Sequence, residues 1–345
     1  MAAARKNGGF RFAAYVLTVL SLLFVLAATW SVCYLLAPAP LPLDKTATVV
    51  IPRGISLKNI TGLLVDASLI RGGIGERWSF LILATLSRRA RRLPAGEFSL
   101  NGGQRPLALL GTLTAAKSLS HVITFPEGLA AAEMADILMQ DGLCDKKEYL
   151  RLVADAAFIG QQGLAGVPSL EGYLYPDTYH FSKADGGAEQ LITMQVRRFK
   201  AVWKALGGDR LDAATRQRTV ILASLVEKET AVAAERPLVA GVFMNRLSQG
   251  MPLQSDPTVL YGVSGSPHPI THADLERSTP YNTYVIPGLP AGPIANPGKE
   301  ALTAALKPAS TNFLYFVAKN DGSHQFSITL DDHNAAVRQY QRQGK

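Results

Sequence analysis

The chain has 345 residues, 48% hydrophobic and 18% charged, with a formal net charge of +8 from 35 Lys and Arg against 27 Asp and Glu. That length and apolar content exclude a disordered chain and leave room for two or three packed domains, while two cysteines exclude a disulfide-stapled scaffold. No aromatic-interleaved basic motif or helix-turn-helix pattern accompanies the charge, so it suits anionic lipid or an anionic wall polymer and argues against nucleic acid.

Residues 12–37 run for 26 positions without a charge, longer than the roughly 20 needed to cross a bilayer, and predict an uncleaved transmembrane helix. The tail 1–11 holds Arg5, Lys6 and Arg11 and no acid, which by the positive-inside rule puts it in the cytoplasm and residues 38–345 outside. Cys33 falls within the span, so Cys144 has no partner for an intramolecular disulfide beyond it.

After a proline-rich exit, residues 47–51 alternate as a strand, Pro52-Arg53-Gly54 turns, and Ser56 caps a helix with Leu57, Ile60, Leu63 and Leu64 at helical spacing. A shift of 74 residues superposes Pro52 on Pro126, Gly54 on Gly128, Ile60 on Met134, Leu63 on Ile137 and Leu69 on Leu143, an internal repeat of strand, Pro-x-Gly turn and helix. Between the copies, residues 74–86 read as a helix running into Arg88, Arg89, Arg91 and Arg92, most simply a solvated C-terminus that complements the helix dipole, with acidic lipid as the alternative contact. A strand at 97–100 and an amphipathic helix at 104–120 close this first module, 38–120.

Further helices are expected at 146–163 and 190–206. Between them, Tyr173, Tyr175 and Tyr179 flank a proline turn and read either as core packing or as a sugar-stacking rim, with packing the preferred reading. The most apolar stretch of the exported part, 219–236 (TVILASLVEKETAVAAER), predicts a helix buried on nearly every side that nevertheless carries Glu227 and Glu229. Glu227 lies over Ala223 and Ser224, the smaller-sided face, where a carboxyl can look into a cleft and hold a raised pKa. The alternative is that both acids pair with Lys228 or Arg236. A buried helix at 238–247, polar loops at 250–261, 278–284 and 288–297, a hairpin built on 313–316 and 324–329, and a final helix complete the chain.

Metal chemistry finds no support, because Pro269 lies between His268 and His272 and no HExxH helix occurs, and no G-x-S-x-G elbow or phosphate loop is present. No metal or cofactor is expected. What remains, a carboxyl in a buried helix with amide, hydroxyl and aromatic groups in loops, suits polysaccharide chemistry.

The motifs LEGYLYPDTY (170–179), ASLVEKETAVAAER (223–236), VFMNRL (242–247), MPLQSDPTVLYG (251–262), TPYNTY (279–284), GLPAGPIANPG (288–298), LYFVA (314–318) and His333 resemble, in order, those of the YceG-like, or MltG-type, endolytic murein transglycosylases. The arginine-rich segment before Leu93 departs from that pattern. The resemblance implies an α+β chain in which a single transmembrane helix (12–37) is followed by a LysM-like α/β module (38–120) and a catalytic domain (121–345) facing the periplasm from the inner membrane. It implies internal cleavage of peptidoglycan glycan strands between N-acetylmuramic acid and N-acetylglucosamine, leaving 1,6-anhydro ends and terminating elongation, with penicillin-binding synthases as candidate partners. Glu227 falls where the family's catalytic glutamate is expected, and Asn245, Gln254, Asp256, Tyr281 and Asn282 fall in matching motifs as candidates for holding substrate. A muramidase using Asp256 as a second carboxylate, and a wall-binding scaffold with structural acids, are the alternatives.

Overall fold

A computed structural model describes residues 4–263 and 268–341, apart from the side chains of residues 4–10 and of Asp185. Arg5 and Lys6, on which the charge argument for orientation partly rests, therefore have side chains outside the described residues. The chain forms two compact units, residues 1–121 with 181–186, and residues 122–180 with 187–345.

In the first unit, helix α1 (Ala4–Leu36) contains a stretch, Arg11–Leu36, long and apolar enough to cross a membrane. The order β1 (Thr46–Ile51), α2 (Leu57–Asp66), α3 (Ile74–Leu86), β2 (Gly96–Asn101), α4 (Pro106–Ala115) follows. β1 and β2 pair antiparallel, Thr46 opposite Asn101 and Ile51 opposite Gly96, and their inward side chains close with Leu64, Phe80, Leu109, Leu110 and Leu113 over one core. Ser56 caps α2 by accepting from Asn59 N. The arginine run does not finish α3. Arg88 takes the left-handed conformation at φ 55°, and Arg89–Arg92 make a separate 3₁₀ turn. The helix expected over 104–120 is shorter, because Pro106 serves as its first residue and Ser118 is recruited to accept from Glu97 N.

The second unit opens with β3 (His121–Thr124) and α5 (Ala131–Gln140), followed by α6 (Lys146–Val153), α7 (Ala156–Gln161), β4 (Thr178–Phe181), which pairs with β3, and α8 (Gly187–Ala205). The single helix expected over 146–163 is two, since Asp155 turns outward to cap α7 at Phe158 N. The 74-residue repeat is present in the backbone. Gly54 and Gly128 both sit at positive φ (76° and 80°), and both helices end with the same pair of returning bonds, Ala67 N to Leu63 O with Leu69 N to Leu64 O, and Asp141 N to Ile137 O with Leu143 N to Leu138 O. Ser68 and Gly142 occupy the equivalent left-handed position at φ 58° and 62°.

The long apolar stretch 219–236 is not one helix. α9 (Ala213–Glu229), capped by Asp212, stops where Thr230 turns extended, and α10 (Arg236–Ser248) starts afresh with Pro237 in its first turn. Seven successive residues of α9, 220–226, are buried, so it runs through the middle of the unit. The short helix α11 (Pro257–Leu260) and α13 (Lys299–Leu306) pack against it, α12 (His272–Leu275) packs on α11, and the hairpin β5 (Tyr315–Ala318), β6 (His324–Ser327) with α14 (Leu330–Tyr340) ends the fold. Tyr173, Tyr175 and Tyr179 are buried, with Tyr173 edge-on to Phe199, so they pack the core and form no sugar-stacking rim.

Candidate active site

The last turn of α9 carries two carboxyl groups separated by about 200° of helix, so each meets a different neighbourhood. Glu227, its side chain 5% exposed, accepts from Arg236 Nη2 at 3.1 Å and from Gly298 N at 2.9 Å. Burial raises its pKa, against which Gly298 N–H and the Arg236 guanidinium pull down. Pairing with Arg236 is thus the arrangement found for this acid.

Glu229 lies on the wall of a cleft of about 350 Å³. Burial pushes its carboxyl up to about 7; the Ser255 hydroxyl, donating to Oε1, opposes that, while nearby Asp256 adds to it. Oε2 has no protein partner among the described residues. Around the same cleft stand Gln254, Asp256, Tyr284, Arg246, His324 and His333. Gln254 is held at φ 50°, its own N–H donating to Thr283 O, so its exposed amide is presented from a fixed backbone. Asp256 is exposed and accepts from Tyr284 Oη at 2.5 Å. Ser255 is buried and its N–H donates to Thr283 Oγ1, so the loop that aims Glu229 is itself pinned.

The rest of the lining comes from α10, the hairpin and α14. Arg246, 9% exposed, donates to Leu314 O and Leu253 O and lies over the Tyr315 ring at 5.2 Å, and burial lowers its pKa. His324 donates its main-chain N–H to Glu235 Oε1 and bonds Glu235 Oε2 through Nδ1 at 2.7 Å. Glu235 is pushed up by burial, but these hydrogen bonds outweigh that and leave its carboxyl below the ordinary value. His333 stacks on Tyr315 with ring centres 5.2 Å apart; burial and then Arg246 lower its pKa, and its Nδ1 is buried without a partner among the described residues.

Of the residues expected to hold substrate, the fold brings Gln254 and Asp256 into this cleft and leaves three outside it. Asn245 spends its amide donors on Thr311 O and Phe313 O. Asn282, fully buried, donates to Asp274 O, Leu275 O and Arg277 O and clips that loop together. Tyr281 packs on Tyr261 at 4.7 Å, and Tyr261 in turn donates to buried Glu171, a carboxyl raised by burial to about 7 that also accepts from Ala131 N and Asn296 Nδ2. Arg246, Tyr284 and His324 had no signal in spacing or periodicity, whereas Glu229 had the same one as Glu227.

One helix long and apolar enough to cross a membrane among the described residues, and an α+β unit whose cleft presents a protonatable carboxyl among amide, hydroxyl and imidazole groups, define the class. The chain belongs to the YceG-like family, whose sequence model matches residues 49–339. A protein named endolytic murein transglycosylase from Bacillus subtilis (strain 168) is 32% identical over 321 residues, covering 89% of this chain and 88% of that protein. One of the same name from Streptococcus pneumoniae serotype 2 is 29% identical over 341 residues, covering 87% of this chain and 60% of that longer protein. A crystallised yceG-like protein from Listeria monocytogenes, 30% identical, superposes with a TM-score of 0.56 over 85% of this chain and 99% of its own.

Proposed function

We propose that the chain is an endolytic murein transglycosylase and that Glu229, in place of Glu227, is its general acid. The observation that carries the assignment is the position of Glu229 in the cleft with a carboxyl raised to about 7 and one oxygen unpartnered, whereas Glu227 is spent on Arg236 and Gly298. Protonated Glu229 gives its proton to the glycosidic oxygen as the bond from muramoyl C1 breaks, and the positive charge that develops on the sugar is met by Asp256. The Glu229 carboxylate then takes the proton of the muramoyl 6-hydroxyl, which closes on C1 to leave a 1,6-anhydro end. That hydroxyl is tethered at the reacting carbon, so no water has to be positioned. Gln254 and His333 supply hydrogen-bond partners for the sugar along the cleft.

The anchor α1 holds the exported residues 38–345 at the outer face of the cytoplasmic membrane, with Arg11 and the basic tail inside. The β1-α2-α3-β2 order with its antiparallel strand pair supports a LysM-like glycan-recognising role for residues 38–120, and residues 121–345 form the catalytic domain.

Digestion of purified glycan strands in ¹⁸O water tests the chemistry. Released fragments should be lighter than reducing ends by one water, free of label and resistant to borohydride. Label at new reducing ends would establish the muramidase with Asp256 as base, and intact strands bound tightly would establish a scaffold.

A further inference from the structure

The first unit carries an apolar surface that the proposed catalysis does not use. On α3, Ile74, Trp78, Ile82 and Leu86 are 81%, 63%, 54% and 78% exposed. They recur every four residues, so they line one slowly turning face of the helix. Four large apolar side chains in a row are an exposed patch of the kind that marks an interface.

What covers it follows from α1. Gly75 abuts the Trp30 ring, Ser79 Oγ donates to Ser31 Oγ at 2.9 Å, and Leu83 shares a crevice with Leu35 and Leu36. The line 75, 79, 83 that packs on α1 lies one residue, about 100° of helix, from the exposed line 74, 78, 82. The exposed stripe is therefore beside α1 and meets whatever surrounds that helix. From Arg11, the last charged residue before the apolar run, to Trp30 is 19 residues, about 28 Å at ~1.5 Å each, which matches a hydrocarbon core of about 30 Å. Trp30 thus falls at the outer boundary, where tryptophan is favoured, and α3 starts at that depth. The apolar run continues past Trp30 to Leu36, so the end of α1 against which α3 packs is itself apolar.

Charge agrees. Residues 38–121 hold eleven Lys and Arg against four Asp and Glu, nearly all of the chain's net +8. Arg88, Arg91 and Arg92 are exposed just past α3 and Arg105 at the start of α4, and Arg89 and Arg105 line an apolar crevice of about 540 Å³ walled by Leu35, Leu36, Leu83 and Leu107 at the point where α1 ends. Arginine above an apolar crevice fits a phospholipid, its phosphate on the guanidinium and its chains below.

We propose that the first unit is seated on the outer leaflet of the bilayer that α1 spans, with Ile74, Trp78, Ile82 and Leu86 inserted beside α1 and the arginine shelf holding anionic phospholipid headgroups. This rests on reading α1 as a membrane span. A wall polymer would meet the arginines but has no use for the apolar stripe.

The full-length protein reconstituted in phosphatidylcholine vesicles with phosphatidylglycerol tests it, using two variants with one tryptophan each: Trp30→Phe with Trp203→Phe to report Trp78, and Trp78→Phe with Trp203→Phe to report Trp30. Trp78 emission should be blue-shifted, lose intensity to brominated lipid as Trp30 does, and resist acrylamide. Combined Arg88→Ala, Arg91→Ala and Arg92→Ala, or omission of phosphatidylglycerol, should reduce lipid quenching of Trp78 and leave that of Trp30 unchanged. Lipid quenching of Trp30 with acrylamide quenching of Trp78 overturns the proposal while α1 stands as a span. Trp78 shielded from both quenchers puts a second copy of the chain on this face and also overturns it. Trp30 beyond the reach of lipid removes the span and the proposal together.

Discussion

Two glutamates on the last turn of one helix differ only in what approaches them, and substitution separates their roles. Glu229→Gln keeps the shape of the side chain and removes its acid proton, so kcat on glycan strands should fall by about 10² to 10⁴ with the fold intact. Glu227→Gln should keep activity within about tenfold but lower stability by about 2–4 kcal/mol, because Arg236 loses its buried counter-charge. A folded, inactive Glu227→Gln protein beside an active Glu229→Gln one would reverse the assignment. pH supplies an independent readout. A general acid must be protonated in the free enzyme, so kcat/KM should be highest below about 7 and fall as pH rises through that value. Because the Asp256 carboxylate helps hold the Glu229 proton, Asp256→Asn should move that alkaline limb to lower pH. An unmoved limb would mean that another group controls it.

At the scale of elements, the paired β1-α2 and β3-α5 motifs are the same device used twice: a strand, a left-handed glycine turn, and a helix closed by a left-handed residue. Gly54→Ala and Gly128→Ala should each cost about 1–2 kcal/mol, since both place a Cβ at positive φ. The added Cβ at Gly54 meets nothing, and the one at Gly128 meets Glu227 Cγ at 3.5 Å, an ordinary contact, so conformation dominates in both. Hydrogen exchange read over α2 in the first variant and α5 in the second checks this. A negligible effect at either position would show that its turn relaxes out of the left-handed region. The breaks that divide residues 146–163 and 219–236 have comparably local causes, the cap Asp155 and the helix-starting Pro237, both overridden in a reading led by apolar periodicity.

For the whole molecule, the charge asymmetry around α1 predicts that everything beyond residue 37 is exported. A reporter that matures only in an oxidising compartment, fused after Lys345, should be active, and one that works only in the cytoplasm should be silent. The opposite result would invert the chain in the membrane and remove any access to a wall polymer.

What the sequence determined by itself is what adjacent residues decide. The apolar run of α1, the Ser56 cap, the span of α3 at 74–86, the hairpin before α14 and the repeat all depend on contacts within a few turns of chain, so their signals are written locally. The site is not local. Glu229 is aimed by Ser255, 26 residues on, and Glu227 is tied by Gly298, 71 residues on. Asn245 and Asn282 read as available amides until the carbonyls of 311–313 and 274–277 fold against them. Arg246, on α10, and His324, on β6, meet at the cleft only in the tertiary fold. Two carboxyls two residues apart carry the same local signal. Only tertiary structure decides which is desolvated in a cleft with an oxygen left for a proton, because desolvation and partnering are properties of the surroundings and not of the helix that bears the acid.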